Sequence, residues 1–180
     1  IPTKSTPKET LSLTKFFADK VKATDNFDNV VQQFDDIGTK AINKVDSSLK
    51  SSKTLHKPQG AVEVLKAIDK NLKNIAFTWP QKKSVKDLIK KFNTDGLTLT
   101  DLNKIKRSIN DYTKAWTAAG REAAWLNPAA MRGKYTEIRK FIENTAKKEK
   151  LPDIWQLNND WINANTLQEL LGKQASAIGK

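Results

Sequence analysis

The chain has 180 residues, 38% of them hydrophobic, and a net charge of +12. It has one histidine and no cysteine, which excludes disulfides and Cys-based zinc sites. No apolar run approaches the roughly 20 residues needed to span a bilayer.

Seven glycines and six prolines leave few places for the chain to turn. Few breakers, with abundant Lys, Leu, Ala, Asn and Asp, favour helix over sheet. Half of the positive excess lies in residues 61–120, where 12 basic side chains face 6 acidic ones. No segment is a basic tail. A diffuse charge of this kind raises solubility and favours weak contact with polyanions. The expectation is an all-α protein, an irregular helical bundle of six to eight helices with no sheet. Residues 1–8 read as a flexible lead-in. Residues 9–180 read as a single helical domain, with a possible subdivision near residue 80.

In chain order, Leu11, Leu13, Phe16, Phe17 and Val21 give a first short apolar stripe. A stronger one follows: Phe27, Val30, Val31, Phe34, Ile37, Ala41, Val45 and Leu49 recur at threes and fours, which is one face of a long amphipathic helix. Residues 47–60 are polar and end in Pro58 and Gly60, so they read as a loop. Val62, Leu65, Ile68, Leu72 and Ile75 make the third stripe. Residues 78–83 then read as a break, because Pro80 lacks a donor and disfavours helix in the residue before it. A short helix is expected over 84–92, capped by Ser84 with Asp87 in its first turn.

The next helix spans 98–116. Thr98 or Thr100 is placed to cap it, with Asp101 in the first turn. Leu102, Ile105, Ile109, Tyr112 and Trp116 share an arc of about 80°. Lys104, Arg107 and Lys114 fall away from that arc, and Lys106 lies at its edge. Gly120 marks a break, and Asn127-Pro128 is a helix start with Asn as cap and Pro at the first helical position. Met131, Tyr135, Ile138, Phe141, Ile142 and Ala146 run down one face before Leu151-Pro152 ends the helix. Two last helices are expected, over 153–163 and 166–178, with Thr166 capping the second.

No constellation of residues announces catalysis. His56 lies in a Ser/Lys-rich loop and reads as a solvated histidine rather than a metal ligand. Asp25, Asp28, Asp35 and Asp36 lack the spacing of a calcium loop. There is no Gly-x-Ser-x-Gly, Gly-rich phosphate loop or dinucleotide fingerprint. Glu122, Glu137 and Glu143 do not form a recognisable acid/base pair. The expectation is a non-enzymatic protein without cofactor or metal.

The five tryptophans, Trp79, Trp116, Trp125, Trp155 and Trp161, are the least ordinary feature. Packing is the favoured reading for them, with Trp116 and Trp161 on apolar stripes and Trp155 over a helix end. Trp79 is the exception, because Lys82, Lys83 and Lys86 follow it closely. Basic clusters at Lys82, Lys83, Lys86, Lys90 and Lys91, at Lys104, Lys106 and Arg107, and at Arg132, Lys134, Arg139 and Lys140 suit phosphate contacts without sequence specificity. If the helix at 84–92 lies beside that at 98–116, the first two clusters merge. The residues expected to bind nucleic acid on this alternative reading are Trp79, Lys82, Lys83, Lys86, Lys90, Lys104 and Arg107.

DGLTLTDLNKIKRSINDY, NPAAMRGKYTEIRKFIE and LPDIWQLNNDW, together covering roughly residues 95–175, resemble a pattern found in large bacteriophage virion proteins, internal or tape-measure-like, and in the polyvalent proteins of phages and mobile elements. The resemblance carries no active-site residue. It implies a helical module of a larger phage polypeptide, working by contact with other virion or assembly proteins in the virion or host cytoplasm. A third reading, an exported effector that binds a host protein, rests only on a chain that starts at Ile1 and not at Met.

Overall fold

The computed structural model describes residues 7–21, 26–72, 77–118 and 128–178. Among them are seven helices: α1 (Pro7–Lys20), α2 (Phe27–Ser51), α3 (Gln59–Lys70), α4 (Trp79–Thr94), α5 (Leu99–Ala118), α6 (Pro128–Lys148) and α7 (Ile154–Ile178). The fold is all-α, with no strand among the described residues; the one β-type pairing there is an isolated antiparallel bridge between His56 and Leu97. The chain divides into two compact units. One is built from residues 1–46 and 153–180, the other from residues 47–152. Residue 80, where a subdivision was expected, lies inside the second unit.

The first unit packs α1 and α7, far apart in sequence, on each other. Phe34, fully buried on α2, lies against the rings of Phe16 and Phe17 on α1, with centroids 6.0 and 5.7 Å away. Val30, Ala164 and Leu167 complete the buried cluster, and Leu13, Val21, Ile37 and Leu171 pack around it. Gly38 permits the close approach of α7 to α2, since a Cβ there would lie 3.4 Å from the Ala164 Cβ and 3.7 Å from the Trp161 ring. Gln168 donates to Asp35 across the same pair of helices.

The second unit is organised around α3, which packs against α4, α5 and α6, while α5 and α6 pack on each other. Ala61, Val62, Val64, Leu65, Ala67 and Ile68 of α3 are all buried. In the helices packed on it, Leu102, Ile105, Ile109 and Tyr112 of α5 and Ile138 and Ile142 of α6 are nearly or fully inaccessible. Each such aliphatic side chain contributes about 1.5–3 kcal/mol by leaving water.

Several boundaries differ from expectation. Helix α2 runs on to Ser51 because Ser48 and Leu49 are buried within its last turns. Helix α4 begins at Trp79 and not at Ser84. Pro80 sits in its first turn, where the missing N–H has no intrahelical partner to lose. Thr78 flanks it, its N–H donating to Gln81 Oε1 at 2.7 Å. The two helices expected at the C-terminal end are one, α7. Thr166 is interior to it and donates its hydroxyl to the Ile162 carbonyl at 2.8 Å. Helix α6 closes with Lys150 in the left-handed region, at φ 57°. There Leu151 N–H returns to the Ala146 carbonyl at 2.9 Å, a helix-ending pattern that Gly usually supplies. Asn127, Gly120 and the first six residues lie outside the described residues.

Candidate functional site

Starting α4 at Trp79 changes what its outer face carries. At about 100° per residue, Trp79, Lys82, Lys83, Lys86 and Lys90 fall within about 100° of arc. Val85 and Leu88, the buried residues of α4, lie on the opposite side. Trp79 is 71% exposed. Lys83, Lys86 and Lys90 are exposed and Lys82 is half-buried. Lys83 pairs with Asp87 one turn on, at 3.0 Å, and Lys86 with Asp69 of α3, at 3.5 Å. All four of these paired side chains keep more than a third of their surface in water, so the pairs are weak and readily exchanged.

A groove of about 370 Å³ runs between α4 and α5, lined by Pro80, Lys83, Leu88, Lys91, Asp101 and Lys104 among others. The two basic clusters therefore meet in part. Lys104 is exposed on the α5 side of the groove, facing Lys83 and Lys91. Arg107 is exposed on α5 but does not line the groove. Lys106 does not mark the solvated side at all: it is buried, with its ammonium 5.9 Å from the centre of the Tyr135 ring.

Asp101 fixes this arrangement. Its Oδ2 accepts the Thr98 N–H at 3.0 Å and the ammonium of Lys91, while its own N–H donates to Thr98 Oγ1 at 3.2 Å. One side chain thus caps α5 and ties it to α4. Burial pushes its carboxyl up, but the Lys91 ammonium and the two Thr98 contacts outweigh that and hold it below the ordinary Asp range. A depressed folded-state pKa gives stability that is complete above the unfolded value, about 3.9, and lost as pH falls through the folded one. Asp101→Asn is expected to cost about 1–2 kcal/mol near neutral pH. In urea titrations from pH 7 to pH 2, the gap between wild type and variant should hold down to about pH 5 and close below about pH 4. A gap independent of pH would remove the charge from the account.

His56 is not a solvated histidine. It is half-buried, its ring meets Phe141 edge-on at 5.4 Å, and its backbone exchanges two hydrogen bonds with Leu97, at 2.8 and 2.7 Å. Thr54 Oγ1 lies 2.9 Å from His56 Nε2 and donates its proton to Glu149. Hydrogen bonds from Ser52 and Thr54, with a smaller effect of His56, hold the Glu149 carboxyl below its usual range. With the hydroxyl proton aimed at the carboxylate and not at the imidazole, Thr54 is not poised as a nucleophile. The cluster ties the segment between α2 and α3 to the end of α6. No group of three potential metal ligands occurs among the described residues.

The tryptophans divide differently from expectation. Trp155 on α7 is exposed, like Trp79, whereas Trp161 keeps only 39% of its surface in water and lies over Gly38 of α2. The side chains of Trp116 and Trp125 lie outside the described ones. Trp155, Ile162 and Leu170 fall within about 80° on the side of α7 away from Ala164 and Leu167. They are 52%, 49% and 48% exposed. Asn159 and Thr166 fall in the same arc, so these three are large apolar side chains standing among polar ones on the outer side of α7, whose other side is in contact with α1 and α2.

A scan against protein-family models found no match, and searches of curated proteins and of solved structures returned no significant match. No described helix is long and apolar enough to cross a membrane.

Proposed function

We propose that this chain is a non-enzymatic helical interaction module that works by protein contact, as part of a larger phage virion protein. The observation that carries the reading is the three large apolar side chains Trp155, Ile162 and Leu170, each about half exposed on the outer side of α7. Large apolar side chains held in water gain burial when another protein covers them. Tryptophan in particular is enriched where such contacts concentrate their binding energy. The assignment to a virion rests on the resemblance of residues 95–175 to virion-protein helices.

A photo-crosslinking amino acid at Ile162, in the native particle or cell, tests the reading. A discrete adduct is expected there and not from the same group at Lys66, an exposed position on α3. Trp155→Lys in the same chain should abolish the adduct while leaving the helical circular dichroism intact. Equal labelling at both positions would sink the proposal. So would a reproducible hydrolase or transferase activity that disappears on substituting one Asp or Glu.

A further inference from the structure

The outer face of α4 has a composition that neither folding nor the α7 contact accounts for. In an isolated helix, like charges at i, i+4 are destabilising by a few tenths of a kcal/mol each, and α4 holds Lys82 over Lys86 and Lys86 over Lys90. The indole of Trp79, at the head of the same face, forgoes most of the burial it could gain. That indole is not on a loose end. Pro80 follows it in the first helical turn, and the Thr78 N–H and hydroxyl reach Gln81 Oε1 at 2.7 and 3.1 Å.

We propose that this face binds single-stranded nucleic acid, with Trp79 stacking on a base and Lys82, Lys83, Lys86 and Lys90 contacting successive phosphates. Lys104, across the groove from Lys83 and Lys91, meets the same strand from the α5 side. The strip from Trp79 to Lys90 is about 16 Å long at 1.5 Å per residue, enough for a few nucleotides. A cationic track beside an exposed aromatic ring is how sequence-tolerant single-strand binders work.

Three features select this occupant. Charge complementarity requires a polyanion, because the 16 residues of α4 carry five lysines and one aspartate. The exposed indole selects unpaired bases, since a duplex keeps its base faces stacked and out of reach. Apart from Trp79 the outer face of α4 carries lysines, and the buried residues Val85 and Leu88 lie on its other side, whereas a helix lying on a membrane needs a whole apolar side facing outward. The exposed pairs Lys83–Asp87 and Lys86–Asp69 exchange readily for phosphate contacts.

The test is a fluorescence-anisotropy titration of a labelled oligothymidylate of about 20 nucleotides, longer than one such site, with the full chain at several salt concentrations. Log affinity should fall linearly with log salt. The triple variant K82E/K83E/K86E should bind at least about 10-fold more weakly, with the slope shallower by about 2, from three phosphates at about 0.7 each on a single strand. W79A should lose about 5- to 100-fold with its slope unchanged, and W79F should retain most of the affinity. All of these positions are on the surface of α4. Should the triple reversal fail to fold, K82Q/K86Q with unchanged circular dichroism gives the same comparison at smaller amplitude. Wild-type affinity in the charge variants overturns the proposal. So does duplex binding as tight as single-strand binding and indifferent to Trp79. Preference for phosphatidylserine vesicles, or equal displacement by polyglutamate, likewise overturns it.

Discussion

Phe34→Ala is expected to remove about 3–5 kcal/mol of stability, the usual cost of deleting a buried ring. The loss should fall on one of the two units. Phe34 is completely inaccessible and lies against Phe16 and Phe17 of α1, in the cluster that includes Ala164 and Leu167 of α7. No shorter side chain on α2 reaches all of these partners, so the cavity would stand between three helices. Whole-domain stabilities are about 5–15 kcal/mol, which makes this loss a large fraction for one such unit. Native-state hydrogen exchange should show α1, the first turns of α2 and α7 losing protection, while α3, α5 and α6 keep theirs. Gln32→Ala, on the exposed side of the same helix, should stay within about 0.5 kcal/mol of wild type. Uniform loss of protection in all helices would mean that the two units unfold as one.

The helices with a single strong apolar stripe were legible in the sequence. Val30 through Leu49 on α2, Val62 through Ile68 on α3 and Leu102 through Tyr112 on α5 are found on helices as read, because burial on one side imposes the 3.6-residue period. The two errors of connectivity share a physical cause. Pro80 reads as a breaker in the sequence, although a proline in the first turn of a helix forfeits no hydrogen bond. Thr166 was read as a cap, although threonine inside a helix can return its hydroxyl to the carbonyl four residues back, as it does to Ile162. In α7 a second cue was missing. Its outer side carries Trp155, Ile162 and Leu170, so no single stripe stands out.

The candidate site was legible as a list of residues but not as a surface. Trp79, Lys82, Lys83, Lys86 and Lys90 were all named, yet their alignment depends on α4 continuing back through Pro80 to Trp79. The meeting of Lys83, Lys91 and Lys104 depends on α4 lying beside α5, which is a tertiary fact. Lys106 shows the limit of reading charge by helical angle. A long aliphatic stem allows a lysine at the edge of an apolar arc to be buried beside an aromatic ring, here that of Tyr135.

Gly96→Ala is the second large expected effect, and it links stability to the groove. Gly96 has φ +103°, a conformation that strains any residue bearing a Cβ. An added Cβ would also lie 3.0 Å from the His56 carbonyl oxygen, which is backbone and has no free rotation to yield. That oxygen accepts the Leu97 N–H at 2.7 Å, and His56 N–H returns the bond at 2.8 Å. Backbone strain of about 1–3 kcal/mol therefore adds to damage to two hydrogen bonds worth about 0.5–1.5 kcal/mol each, for an expected loss of about 2–4 kcal/mol by urea denaturation. Gly133→Ala supplies the opposite sign. Within α6, with nothing within 4 Å of the added Cβ, it should stabilise by about 0.5–1 kcal/mol. Because Gly96 leads directly into Thr98, which bonds to Asp101, and Asp101 in turn holds Lys91 and so sets α4 against α5, its substitution should also weaken oligonucleotide binding without removing a single lysine. Full affinity in a destabilised Gly96→Ala protein would show that the α4 strip binds alone and that Lys104 across the groove contributes nothing.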